Sequence, residues 1–371
     1  MSNVRNQISS RLHPLADLLV SHISGCPARD HKERTWSAHT LIAASTASMI
    51  AGGAALYLAT SSAISLWTII LAYMGCIVLA GSIRYHQTVL MHHAAHGMLF
   101  KSKPGMDSDH PTQAGQHGKD PRNLRYASIA SCMFLLPSPE DYHEEHIAAH
   151  HKTLRIFATT ADPDAAFLLG LGFIPGTSVA KQRWLLLRTL LSPRLHARMA
   201  WQRICSAGRP SMARKIGVMT TLSMLLLLIL LEPAFGAMLT FALFPVVHCA
   251  ALFQFTTEHL WFSPMLPGES ANCRAARLSH ARFSCDPTPS SRLGWIRWWA
   301  RLLTLHLTMR VLALNGDLPQ HDMHHLRPNA DFQKLGALRW ELYDNDIETR
   351  EYWGYGAVLT AVMQHIEEAG K

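Results

Sequence analysis

The stretch IGVMTTLSMLLLLILLEPAFGAMLTFALFPVVHCAALFQF, Ile216 to Phe255, decides the fold class. It is about twice the roughly 20 apolar residues that carry a helix across a bilayer. Its middle holds Glu232-Pro233. A charge and a proline are costly inside lipid but tolerable at its edge, so the block reads as two spans, about 216–232 and 234–256, joined by a turn on the far side. Two more apolar stretches, about 38–60 and 63–83, are separated only by Ser61-Ser62, a tight turn. The pattern predicts an all-α integral membrane protein with four transmembrane helices in two hairpins and a cytoplasmic helical cap. Its parts are an N-terminal segment over 1–37, a membrane domain over 38–330 and a C-terminal segment over 331–371.

Composition agrees with a bilayer. Of 371 residues, 49% are hydrophobic and only 16% are charged, where soluble domains average about a quarter charged. The formal charge is +8, a basic excess that suits nucleic acid, an anionic membrane surface or acidic partners. With long apolar spans present, the membrane reading prevails and no nucleic-acid partner is expected. Arg5, Arg11, Arg29, Lys32 and Arg34 precede the first span, and Lys101, Lys103, Arg209, Arg214 and Lys215 flank the inner loop and third span. Both far-side turns lack Lys and Arg. By the positive-inside rule, both termini and the central loop are expected in the cytoplasm. The polar, basic first 37 residues show no removable signal peptide. Residues 181–203 and 292–310 mix apolar and aromatic residues with arginines, as helices lying in a headgroup layer do.

The seven cysteines are scattered and never spaced as CxxC, which predicts free thiols. The 23 histidines are the unusual feature. His92 and His96 in HHAAH are four apart, one turn of a continuing helix, and can hold one metal or bridge to a second. A denser group follows in Tyr142-His-Glu-Glu-His-Ile-Ala-Ala-His-His-Lys152, where the steps from His143 to His146 to His150 fit one α-helical face with His151 beside it. His321, His324 and His325 in HDMHH form the third group, and His259 follows Glu258 where the fourth span re-enters the cytoplasm.

Topology sets all of these on one side of the membrane. The candidate ligands are therefore His92, His96, His146, His150, His151, His259, His321, His324 and His325. Nine imidazoles exceed what one ion uses and suit two. Neutral imidazole ligates Fe, Zn, Cu and Ni, and its second nitrogen is usually fixed by a carboxylate, for which Glu144, Glu145, Asp162 and Asp164 are available. His248, within the fourth span, reads as a packed or hydrogen-bonded residue, and His110, His117, His196, His280, His306 and His365 have no partner at ligand spacing and are set aside.

These residues resemble the membrane fatty acid desaturase and hydroxylase superfamily over roughly 80–330. HHAAHG is similar to its first histidine box, HIAAHH with Asp162-Pro163-Asp164 to the second, QHDMHH to the third, and Glu258-His259 to the extra ligand before the third. Three residues, rather than two, separate His146 from His150-His151, as in the alkane hydroxylase branch, which the chain also resembles at Glu145 and Ala158-Thr159-Thr160. The resemblance implies a four-span scaffold around a di-iron centre, two Fe ions held by the boxes.

An unactivated methylene has no acidic proton and no leaving group, so side chains alone cannot attack it and a cofactor must. The expected activity is an O₂-dependent oxidation that desaturates a fatty acyl chain. The alternatives are a hydroxylase or ketolase of an alkyl, acyl or carotenoid substrate and, more distantly, a non-catalytic metal-binding membrane protein. Transporters set their polar ligands at mid-membrane, whereas these lie at span ends. The chain carries no Rossmann, flavin, haem or iron–sulfur motif, so electrons are expected from an external donor such as ferredoxin or a cytochrome with its reductase.

Overall fold

The computed structural model describes residues 3–30, 33–100, 120–151, 156–327, 330–345 and 349–371. Lys32, Lys101, Lys103, His110 and His117 fall outside them. The chain divides into two compact units, one of residues 36–147 and 192–251, the other of 1–35, 148–191 and 252–371.

Four helices are long and apolar enough to cross a membrane: Ala38–Thr60, Leu66–Ala95, Met212–Leu231 and Pro233–Glu258. Each starts where local chemistry demands. Ser37 and Ser211 cap the first and third by accepting the backbone N–H of Thr40 and Arg214, and Ser65 and Thr68 form a reciprocal capping box on the second. Pro233 opens the fourth at a position where its missing N–H costs nothing. The first two spans are in backbone contact, because a side chain on Gly52 would meet the backbone of Leu79 and one on Gly75 that of Gly52 and Leu56.

The second helix outruns the expected 63–83 and continues through the first histidine box to Ala95. Its path includes a π-helical turn, His86–Met91. A second π turn, Ala242–Val246, encloses Pro245, which has no N–H for the regular ladder. The third span is mostly unburied, and Met219, Met224, Leu227 and Leu230 lie exposed along it. That much outward apolar surface on a helix fits lipid rather than water.

The other unit packs its main core from Phe157, Leu168, Phe173, Leu260, Trp261, Val358, Val362 and Ile366. A second core joins Ile8, Val20 and Ile23 from the N-terminal helices to Phe283, Trp298 and Trp353. Two short strands, β1 (Ala281–Phe283) and β2 (Glu351–Trp353), pair in parallel, so the fold is mostly rather than wholly helical. Residues 331–371 contribute β2 and the helix Tyr355–Glu368 to this same unit. Within 292–310, Trp298 and Leu302 turn into the second core, while Leu293, Ile296 and Leu303 face outward.

Candidate metal centre

The unit of 1–35, 148–191 and 252–371 brings four buried imidazoles together. His150, His259, His321 and His325 each offer a nitrogen, and these nitrogens all lie within 4.8 Å of one another. Three separate pieces of chain supply them. His150 ends a π-helical segment, His259 follows the last turn of the fourth long helix, and His321 and His325 stand one turn apart on the helix His321–Leu326. The Nε2 atoms of His321 and His325 are 3.1 Å apart. His151 stacks on His325 with ring centroids 4.5 Å apart and meets His324 edge-on at 4.9 Å.

In the unit of 36–147 and 192–251, His92, His96 and His146 form a second group, with donor nitrogens also within 4.8 Å of one another. The His92 ring lies 4.7 Å from His96 and 4.8 Å from His146, centroid to centroid. Tyr142 braces both boxes here. Its hydroxyl hydrogen-bonds His92 Nδ1 at 2.8 Å, and its ring stacks on His146 at 4.9 Å.

The donor set and its burial fit a metal ion. His259 is fully buried, and neither of its ring nitrogens has a hydrogen-bond partner among the described residues. An imidazole so placed forfeits the solvation of two polar atoms unless another species engages them. Burial, reinforced by His325 and His150, holds the His259 ring far below the usual histidine range, and burial with the neighbouring imidazoles does the same for His321. Both rings are therefore neutral, the form that ligates.

Carboxylates surround this cluster. His150 Nδ1–H donates to Asp162 at 2.8 Å, and Asp164 lies 3.7 Å away. Burial opposes the charged ring, but Asp162, Asp164 and Glu258 outweigh it and raise His150 to about 9. Glu258 lies 3.4 Å from His321 Nε2 and 3.6 Å from the buried Arg282 guanidinium, and accepts from Gln254 at 3.0 Å. Behind the third box, buried Arg339 pairs with Asp322 and donates to Gln320 at 3.2 Å.

One expectation needs correction. Residues His143–His151 form a π-helix, not an α-helix, so the wider turn takes His143 out of the row and leaves it exposed, while His150 is buried. His280, set aside for want of a partner at ligand spacing, is buried and donates from Nε2 to the Thr257 carbonyl at 2.9 Å, two residues before His259. Its spacing from the boxes carried no sign of this, because the contact spans a turn in space rather than a period in sequence. Tyr142, four residues before His146, is a contact residue of both boxes that histidine spacing does not reveal. Glu144 and Glu145 are exposed, and Asp162 is the carboxylate that meets a box histidine most closely. His248 stacks on His196 and accepts from Arg203 at 3.2 Å, a packed and hydrogen-bonded role. The cysteines are free thiols among the described residues.

The family model of fatty acid desaturases matches residues 114–356. The chain belongs to that family. The matched stretch contains the second and third boxes with His259, and starts after His92 and His96. Neither a curated protein nor a solved structure matches the chain. Desaturase membership implies oxidoreductase activity, a lipid substrate and a membrane setting, in a family that is typically iron-dependent. The histidine clusters are of a kind able to bind such a metal.

Proposed function

We propose that this desaturase is an O₂-dependent oxidase that uses two iron ions to desaturate a fatty acyl chain. The observation that carries the reading is the set His150, His259, His321 and His325, buried and convergent, in a member of this family. His92, His96 and His146 offer a second set, and His151 and His324 complete the nine proposed ligands. Bound iron supplies the activation of O₂ and the removal of hydrogen from an unactivated carbon, which no side chain offers. The chain's own work is to hold the imidazoles in fixed rotamers and keep water from the site. Asp162 orients His150, Tyr142 braces His92 and His146, and burial keeps His259 and His321 unprotonated.

In this reading the four long helices form two hairpins, and the histidine boxes, both termini and the cap face the cytoplasm, as the Lys and Arg distribution supports. Electrons arrive from an external ferredoxin or a cytochrome with its reductase. A hydroxylase or ketolase is the second reading. The three residues between His146 and His150-His151, the spacing of the alkane hydroxylase branch, favour it. Anaerobic purification with metal analysis, followed by mass spectrometry of lipids from cells with and without the protein, tests both. Loss of two hydrogens marks a desaturase and gain of one oxygen a hydroxylase; unchanged lipids overturn the proposal.

A further inference from the structure

Asp162 stands at a crossing of three hydrogen bonds. One carboxylate oxygen accepts His150 Nδ1–H at 2.8 Å and the backbone N–H of Ala158 at 2.8 Å. The other accepts the backbone N–H of Asp164 at 3.0 Å and so caps the helix Pro163–Leu171. Its side chain and that of His150 are almost wholly buried, at 0% and 1% exposure. The segment beneath is held in turn. Arg274, also buried, donates twice to the Phe157 carbonyl, at 2.9 and 2.7 Å, and Ser263 N–H donates to the Ala158 carbonyl at 3.2 Å. Ala158 is held at φ 56, the left-handed region that a residue with a Cβ avoids unless its surroundings fix it.

A capping aspartate needs none of the imidazole contact, and a buried histidine needs no carboxylate. Together they have a chemical consequence. A carboxylate that engages Nδ1–H fixes the ring's rotation, turns Nε2 towards the cluster as the nitrogen a metal would take, and raises its donor strength. We propose that Asp162 is a positioning residue that sets the metal affinity of the four-histidine cluster through His150. The inference rests on reading that cluster as a metal site.

Cobalt(II) is a suitable probe, because imidazole ligands give it a visible spectrum without O₂ chemistry. The full chain in detergent is titrated with cobalt as wild type, Asp162→Ser, His150→Ala and the double variant. Serine caps a helix about as well as aspartate but is too short to reach the imidazole. Asp162→Ser should weaken one cobalt site by about 10- to 100-fold. The double variant should lose no more affinity than His150→Ala alone, since Asp162 acts only through that ring.

Unchanged affinity in Asp162→Ser overturns the proposal while leaving the metal site standing. Losses that multiply in the double variant overturn it too, because they describe a residue that props the fold independently of His150. If wild type takes up no cobalt, the metal reading itself fails. Should the serine variant not fold with Ala158 N–H unmet, Asp162→Asn keeps the side chain's volume and an accepting oxygen but removes the charge; weakened cobalt binding that vanishes in the His150→Ala background supports the proposal, and unchanged affinity overturns it for the carboxylate.

Discussion

His321 and His325 present their Nε2 atoms to each other across 3.1 Å. Two such nitrogens either share one proton or aim two lone pairs at one point. Burial and the nearby rings keep His321 neutral, which suits the second arrangement. Nine candidate imidazoles in two groups exceed what one ion of four to six ligands uses. Anaerobically purified protein should therefore contain about two iron ions per chain, and His325→Ala should lose the share held by the four-histidine cluster. One tightly bound zinc with no iron would contradict the di-iron reading.

His259 tests the same cluster at its least conspicuous member. His259→Ala should abolish product formation and lower metal content while leaving the protein monodisperse in detergent, because that ring makes no hydrogen bond among the described residues. The control has to be His143→Ala. His143 is exposed, whereas His280, although remote from the boxes in sequence, holds the Thr257 carbonyl in the turn that delivers His259. Product formation by His259→Ala equal to that of His143→Ala would retire His259 as a ligand.

These two histidines show what the sequence could convey. The four apolar helices and the boxes were legible because lipid demands about 20 apolar residues in a row and metal ligation demands repeated imidazoles at short spacing. Glu232-Pro233 and Ser61-Ser62 marked the breaks between helices within a few residues, whereas the second helix ran on past its expected end to Ala95. What escaped depended on contacts between distant segments. The π turn at His143–His151 has no compositional signal, and β1 meets β2 across a separation of about 70 residues. Asp162 was half legible: Asp-Pro announces a helix start, but which of four candidate carboxylates meets a histidine is a matter of tertiary packing.

Arg339 and Asp322 behind the third box make a buried pair, at 1% and 3% side-chain exposure. Arg339→Met strands a buried carboxylate two residues from His324, at a cost of about 3–5 kcal/mol. Thermal unfolding in detergent should register a clear fall in Tm. Arg339→Met combined with Asp322→Asn should recover part of the loss, since no uncompensated charge then remains. A double variant as unstable as Arg339→Met alone would show that the guanidinium acts through its bonds to Gln320 and Thr349 instead.

The proposed orientation is open to labelling with a membrane-impermeant thiol reagent. Cysteine placed at Ser62 or Ala234, in the far-side turns, should react in intact cells. Cysteine at Ala330 should react only after permeabilisation. The native Cys273 is exposed and supplies an internal control on the same side as Ala330. Labelling of Cys273 in intact cells would reverse the assignment of the histidine clusters to the cytoplasm.

Acid sensitivity should be centred on Glu269. Its carboxylate accepts from Arg277 at 2.6 and 3.0 Å, from the Leu266 N–H at 3.2 Å and from Arg274 at 3.4 Å. Arg277 is the largest influence; burial opposes it, and the Leu266 N–H and Arg274 add to it, so the carboxyl is pulled down to about 2 from 4.5. A group depressed in the folded state lends stability that is complete above its unfolded value and disappears as pH falls through the folded one. Wild type should therefore exceed Glu269→Gln in Tm at neutral pH, and the gap should close as pH drops from about 4.5 towards about 2. Arg274, which also meets Glu269, holds the Phe157 carbonyl beneath His150, so loss of the Glu269 pair should also loosen cobalt binding in the variant at neutral pH. A Tm difference that stays constant across that pH range would mean that the Glu269 charge contributes nothing and only the side chain's shape matters.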